Sequence, residues 1–237
     1  ILEVPEGANR LALNSLMMAE LAEGKGRFID QLINGLWHFS YAPSWVLSAH
    51  LPRQSSKRSL PDPREQLIDL YSCAIGVQMS VSWHFFHEVF DKINPVISLS
   101  IQNAVKKQIL DPYLCPGQYL ANRWLGFIHV PGKVINNWNP WCNMNVLQAI
   151  ACLEYEPEFR ASIVEKVCES LDVYIARYPD DGACDEGPMY WGAAGAGLGN
   201  GIILPVGDEI VVPNRLKGAD IFGRACQRII GGERHHN

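Results

Sequence analysis

Apolar residues recur at spacings of three and four along most of the chain, the pattern of helices that each bury one face. Residues 8–22 place Leu11, Ser15, Met18 and Ala22 on one face, with Leu13, Met17 and Leu21 beside them. After Gly24-Lys25-Gly26 a second helix carries Phe28, Leu32, Leu36 and Phe39 and closes at Pro43. Asp62-Pro63-Arg64-Glu65 has capping-box spacing with Pro at the first helical position. It predicts a long helix through Leu67, Tyr71, Ala74, Val77, Val81, Phe85 and Val89. Asn94-Pro95 opens another through Ile97, Ile101 and Val105 into Ile109. A helix after Pro140 carries Val146, Ile150 and Leu153, and Glu156-Pro157 turns it into a partner with Ile163, Val167, Leu171, Tyr174 and Tyr178. A last helix is expected around Ala219 to Ile230, and only Ile210 to Val212 reads as a short strand. The chain is therefore expected to be all-α. Turns as short as Glu156-Pro157 favour antiparallel hairpins, and hairpins in series suit one α/α-toroid domain over residues 1–237.

Three stretches do not serve this pattern. Residues 43–62 form a long connection rich in Pro, Ser, Arg and Lys, containing Trp45, His50 and Arg53; connections of that length are often functional. Asn136-Asn137-Trp138-Asn139-Pro140-Trp141-Cys142-Asn143 crowds amides and indoles together. Asn139 reads as an N-cap with Pro140 at the first helical position. Asn136, Asn137 and Trp138 then lie just outside the positive end of a helix, where amides can donate and an indole can stack. An anionic sugar suits such a site, and a polar capping loop with two core tryptophans accounts for it equally well. The third stretch, Cys184 to Trp191, ends in Pro188-Met189-Tyr190-Trp191, with Pro188 suited to a helix start. In a toroid the inner helices begin at one mouth, so the Pro140 and Pro188 motifs are expected to face the same opening. The run Gly192 to Gly201 lacks G-x-G-x-x-G and follows no strand, which removes a dinucleotide reading.

Composition narrows the partners. With a formal net charge of −5 the chain has no basic footprint for nucleic acid, so an acidic ligand must be held by local donors. No apolar run approaches the roughly 20 residues of a membrane span. Seven cysteines, an odd number with no C-x-x-C, suit neither a complete disulfide framework nor a zinc site. His84-x-x-His87-Glu88 matches neither recognised metalloprotease order, and no metal or cofactor is expected. Asp185 and Glu186 offer a carboxylate pair, but adjacent residues rarely flank one bond from both sides as a glycosidase requires. The opening Ile-Leu-Glu, without Met or a signal pattern, reads as a mature form or an excised piece.

Several of these stretches together resemble a known family. Arg27-Phe28 with Trp37, Pro43-Ser44-Trp45-Val46-Leu47 with Ala49-His50, Asn136 to Trp141, Tyr178-Pro179 to Asp181-Gly182, and Asp185-Glu186-Gly187-Pro188 with Tyr190-Trp191 are similar, in order, to the helical domain of heparinase II/III-like polysaccharide lyases. The resemblance covers most of residues 8–200. It implies an incomplete α/α toroid whose C-terminal β-sandwich partner lies outside this chain. It also implies cleavage of an acidic uronate-containing polysaccharide by β-elimination, in the periplasm or outside the cell. It assigns proton transfer to Tyr190 and the grip on the uronate carboxylate to Asn137, with Asn136, Trp138, Trp141, Trp45, His50, Glu186 and Trp191 expected around the substrate. Trp138 departs from the family, which has a histidine there, and an indole cannot relay a proton. The competing expectations are a non-catalytic carbohydrate-binding or assembly domain that keeps the groove, and an α/α-toroid glycoside hydrolase using Glu186 or Asp185.

Overall fold

The computed structural model describes residues 3–128, 131, 135–179, 187–190, 204–206 and 209–211. Its helices are α1 (Glu3–Glu23), α2 (Ile29–Ser40), α3 (Leu70–Ile93), α4 (Val96–Val105), α5 (Asp111–Leu114), α6 (Trp138–Cys152) and α7 (Pro157–Ile175). Single 3-10 turns stand at Leu51–Arg53, Pro116–Gln118, Arg123–Leu125 and Pro188–Tyr190. Apart from an antiparallel hairpin of β1 (Leu204–Val206) and β2 (Glu209–Val211), paired Leu204 to Val211, the architecture is all-α. The strand expected at Ile210 falls on β2. The helix expected at Ala219 to Ile230 lies outside the described residues.

Chain neighbours pack in pairs, α1 on α2, α3 on α4 and α6 on α7, while α2 also meets α4 and α3 meets α6. Local chemistry sets each turn. Between α1 and α2, Gly24 (φ +64°) and Gly26 (φ +74°) adopt left-handed conformations that cost glycine nothing. The buried Glu20 carboxylate accepts from the backbone N–H of Gly26 (2.5 Å) and Phe28 (3.0 Å) and holds that turn shut. At Asn94-Pro95 the Asn94 side chain accepts from Val96 N–H at 3.0 Å and starts α4. Helix α4 runs through a π turn at Lys106–Leu110 into α5, just ahead of Pro112, which cannot donate to the preceding turn.

The core follows the expected stripes on α4 (Ile97, Ile101, Val105, then Ile109), α6 (Val146, Ile150, Leu153) and α7 (Ile163, Val167, Leu171, Tyr174). Two expected faces are corrected. On α1, Leu11 and Met18 face solvent, and Leu13 turns inward, where Gly35 leaves room for it. On α3, Phe85 and Val89 are exposed, while Ile75, Met79, Trp83, Phe86 and Phe90 are buried. Gly76 lies between them because a Cβ there would come within 3.2 Å of Ile109. Among the described residues no helix is long and apolar enough to cross a membrane.

Candidate functional site

The site is built on the start of α3. This helix does not begin at Pro63 as expected; Asp62 only closes a turn onto Arg64 (2.9 Å to the backbone N–H), and the helix starts at Leu70 with Asp69 as its cap. Asp69 Oδ1 accepts from Ser72 N–H (2.7 Å) while Ser72 Oγ accepts from Asp69 N–H (2.9 Å), a reciprocal capping box. The other oxygen accepts from Leu47 N–H at 3.0 Å and faces His50 Nδ1 at 2.7 Å. Asp69 is buried to 1% exposure, and a carboxylate that deep is tolerable only with such donors around it. One carboxylate thus caps α3, pins the 43–62 connection and orients an imidazole. With an ionised carboxylate on Nδ1, that nitrogen carries the hydrogen in either charge state, leaving Nε2 as the reactive nitrogen.

The His50 ring meets Trp138 edge to face at 4.8 Å between centroids. Trp138 is the first residue of α6, so the N-cap is Asn137 and not Asn139. Asn136 provides the local turn, its Oδ1 accepting from Trp138 N–H at 3.3 Å and its carbonyl from Asn139 N–H at 3.1 Å. Asn139 is spent on structure. Its amide donates to the carbonyls of Trp124 (2.9 Å) and Ser170 (3.2 Å), and its oxygen accepts from Asn143 Nδ2 at 3.1 Å. Asn143 in turn donates to Ser170 Oγ (2.9 Å) and accepts from the Tyr113 hydroxyl (2.6 Å). Burial pushes the Tyr113 phenol well above its usual range, so it serves as a donor. Asn137 is different: it is enclosed to 6% exposure, yet its side-chain amide makes no hydrogen bond to a described residue.

Arg53 completes the cluster. The Arg53 guanidinium lies 4.2 Å from the centre of the Trp138 ring, and its backbone N–H donates to the His50 carbonyl at 3.0 Å. Burial, and then the like charge of Arg123, lower the Arg53 pKa from its ordinary value. Arg123 is positioned by its neighbours: Asn122 Oδ1 accepts from Ile68 N–H (2.8 Å) and Trp124 Nε1 donates to the Ile68 carbonyl (3.0 Å), one residue from Asp69.

The structure thus brings together Asn136, Asn137, Trp138 and His50 among the residues expected from sequence. Trp141, one turn along α6, keeps 41% of its surface and offers an open indole. Trp138 offers less, because it packs against the core and carries Arg53 on its face. Trp45 is corrected: it is buried to 2% exposure and donates its Nε1–H to the Phe39 carbonyl at 2.8 Å, so it is a core residue that cannot stack on a sugar. Tyr190 lies in the turn begun by Pro188, 48% exposed, with its N–H on the Gly187 carbonyl at 3.0 Å. Asp185, Glu186 and Trp191 lie outside the described residues. His87 stacks on Trp83 at 4.4 Å and its Nδ1 sits 3.2 Å from the carbonyls of Trp83 and His84. Among the described residues no group of three His, Cys, Asp or Glu side chains could hold a metal.

Asp69, Arg123 and the pairing of Arg53 with Trp138 were not singled out from sequence. Asp69-x-x-Ser72 does carry capping spacing, but it competes with Asp62-Pro63 a few residues earlier, which has the stronger local signal. The sequence matches no protein-family model and no curated protein.

Proposed function

We propose that this chain is the helical domain of a polysaccharide lyase that cleaves an acidic, uronate-containing glycan by β-elimination. The observation that carries the reading is Asn137, an enclosed amide without a described partner at the positive start of α6, beside an imidazole oriented by a buried carboxylate. Removing the C5 proton of a uronate loads negative charge onto the adjacent carboxylate, and a fixed donor lowers that barrier. Asn137 donates to the carboxylate oxygen, helped by the α6 terminus. His50 Nε2 takes the C5 proton, and Asp69 stabilises the imidazolium. The C5–H pair forms the C4=C5 double bond, the C4–O4 bond breaks, and Tyr190 donates its proton to the departing O4. His50 supplies the proton relay that Trp138, standing at the family's histidine position, cannot.

The pairing of helices, with α2 on α4 and α3 on α6, supports an arc of an α/α toroid; a mouth shared by the start of α6 and the Pro188 turn belongs to the same proposal. Completion by a β-sandwich domain and a periplasmic or secreted location belong to the same reading. The test is the ultraviolet absorbance of unsaturated uronate when full-length protein meets heparan sulphate, alginate and hyaluronan. The reading expects a signal on at least one glycan that Tyr190→Phe and His50→Gln largely remove. Absence of product on all of them overturns it.

A second reading, a non-catalytic carbohydrate-binding domain, is favoured by one observation. Among the described residues no hydrogen bond or ring contact joins Tyr190 to the Asn137–His50 cluster. It expects saturable glycan binding, weakened by Asn137→Ala or Trp141→Ala, with no product.

A further inference from the structure

We propose that the solvent face of α1 is a two-fold interface on which a second copy of this chain docks, helix against helix in antiparallel order. The interface owes nothing to the carbohydrate reading above.

Helix α1 inverts the usual arrangement of a surface helix, which turns its charges outward. Arg10, Glu20 and Glu23 are used elsewhere. The Arg10 guanidinium lies 5.1 Å from the centre of the Tyr71 ring on α3, the buried Glu20 carboxylate holds the turn to α2, and Glu23 pairs with Arg27 at 3.0 Å. The outward face is apolar. Val4, Leu11 and Met18 are 79%, 68% and 60% exposed, with Ala8, Ser15 and Ala22 exposed between and beyond them. The flanking positions Ala12, Asn14, Ala19 and Leu21 are uncharged as well, so no like charges oppose a close approach.

The spacing along this face identifies the occupant. The large residues Val4, Leu11 and Met18 recur every seven positions, and so do the small ones, Ala8, Ser15 and Ala22. Each small residue from Ala8 to Ser15 stands three positions before the next large one, which is the a and d spacing of a heptad seam. Run a second copy the opposite way, about a two-fold axis level with Leu13, and Val4 meets Ala22, Leu11 meets Ser15 and Met18 meets Ala8. Every large side chain then lies over a small one. A parallel pair would set large on large and leave voids at the small layers. Such self-complementarity is what an isologous dimer requires. The Ser15 hydroxyl already donates to the Leu11 carbonyl at 3.0 Å, so covering it strands no donor. On ordinary side-chain areas these residues expose about 600 Å² per copy, and pairing buries about 1,200 Å² in all, the lower bound for a specific interface. The dimer should therefore come apart on dilution.

The experiment is sedimentation equilibrium of the full chain over a wide concentration range, with thermal melts of dilute protein beside it. Wild type should move from the monomer mass toward twice that mass as concentration rises. Leu11→Glu should weaken pairing at least about tenfold, because it sets a charge into an apolar layer. Met18→Glu is the second variant, should the first fold poorly. Ser15→Leu decides the register. It adds apolar surface, so indiscriminate stickiness would strengthen association, whereas the antiparallel register sets leucine against leucine and weakens it. Exchanging the two, Leu11→Ala with Ser15→Leu, again puts a large residue over a small one and should restore most of the affinity. A chain that stays monomeric at every concentration overturns the interface. So does a dimer indifferent to both glutamate variants, or one tightened by Ser15→Leu. A monomer that Leu11→Glu destabilises in thermal melts has this face covered by another part of its own chain, and that result overturns the interface too.

Discussion

Asn137 and Asn139 stand two positions apart at the start of one helix, and both are almost wholly enclosed, at 6% and 0% exposure. Asn139 uses its amide on the carbonyls of Trp124 and Ser170 and on Asn143, tying α6 to α7 and to the 3-10 turn at Arg123–Leu125. Asn137 uses its amide on no described residue. An amide whose hydrogen bonds are spent on the fold has none left for a ligand, whereas one that makes none to the described residues keeps its donors. The contrast separates what builds the start of α6 from what that start is for.

The largest effect is expected where the structural half of this pair is broken. Asn139→Ala leaves the Trp124 and Ser170 carbonyls and the Asn143 amide short of partners, and should cost about 3–5 kcal/mol, read as a large drop in urea midpoint. Asp69→Asn comes next. It weakens the α3 cap, the anchor on Leu47 and the orientation of His50 together, with about 2 kcal/mol lost in urea melts and activity falling alongside. His50→Gln should lower activity with stability close to unchanged, which separates the imidazole from its anchor. Gly126→Ala should cost about 1–2 kcal/mol in thermal melts. Its φ of +85° disfavours a side chain, and a Cβ would meet Ile135 at 2.7 Å and Val173 at 2.9 Å. The smallest effect concerns Cys142, one turn below the cluster. Burial, and then contact with Cys73, raise its thiol pKa well above the usual value. Both thiols should resist iodoacetamide at mildly alkaline pH until the chain unfolds. Because the folded pKa exceeds the unfolded one, the thiol's stabilising contribution is present below the usual thiol range. It is lost as pH rises above that range, visible as a modest decline in melting temperature.

Legibility in the sequence tracked how one-sided each helix is. Helix α4 carries one apolar stripe, and Ile97, Ile101 and Val105 read correctly as its core face. Helix α3 is apolar on nearly every side, so periodicity could not choose between Phe85 and Phe86; packing of Ile109 against Gly76 chose. The α1 stripe of Leu11 and Met18 was periodic but outward, since the fit of Leu13 over Gly35 is a tertiary matter. The chemistry of the candidate site was partly legible. Asn137, Trp138 and His50 stood out by composition and by family resemblance. The role of Asp69 did not, because its second oxygen reaches back across the chain to Leu47 and His50, and no local pattern encodes that reach. Trp45 misled for the complementary reason: a tryptophan in a loop looks available until its Nε1 is found on Phe39.

The most direct test is the unsaturated-uronate assay run on Asn137→Ala in the full-length protein, with matched thermal melts. A donor that acts on developing charge is worth about 100- to 1,000-fold in turnover. The account therefore predicts a loss of that size with a melting temperature within a degree or two of wild type. Full activity in the Asn137→Ala protein, or a collapse of its fold like that expected of Asn139→Ala, would contradict the division of labour between the two asparagines.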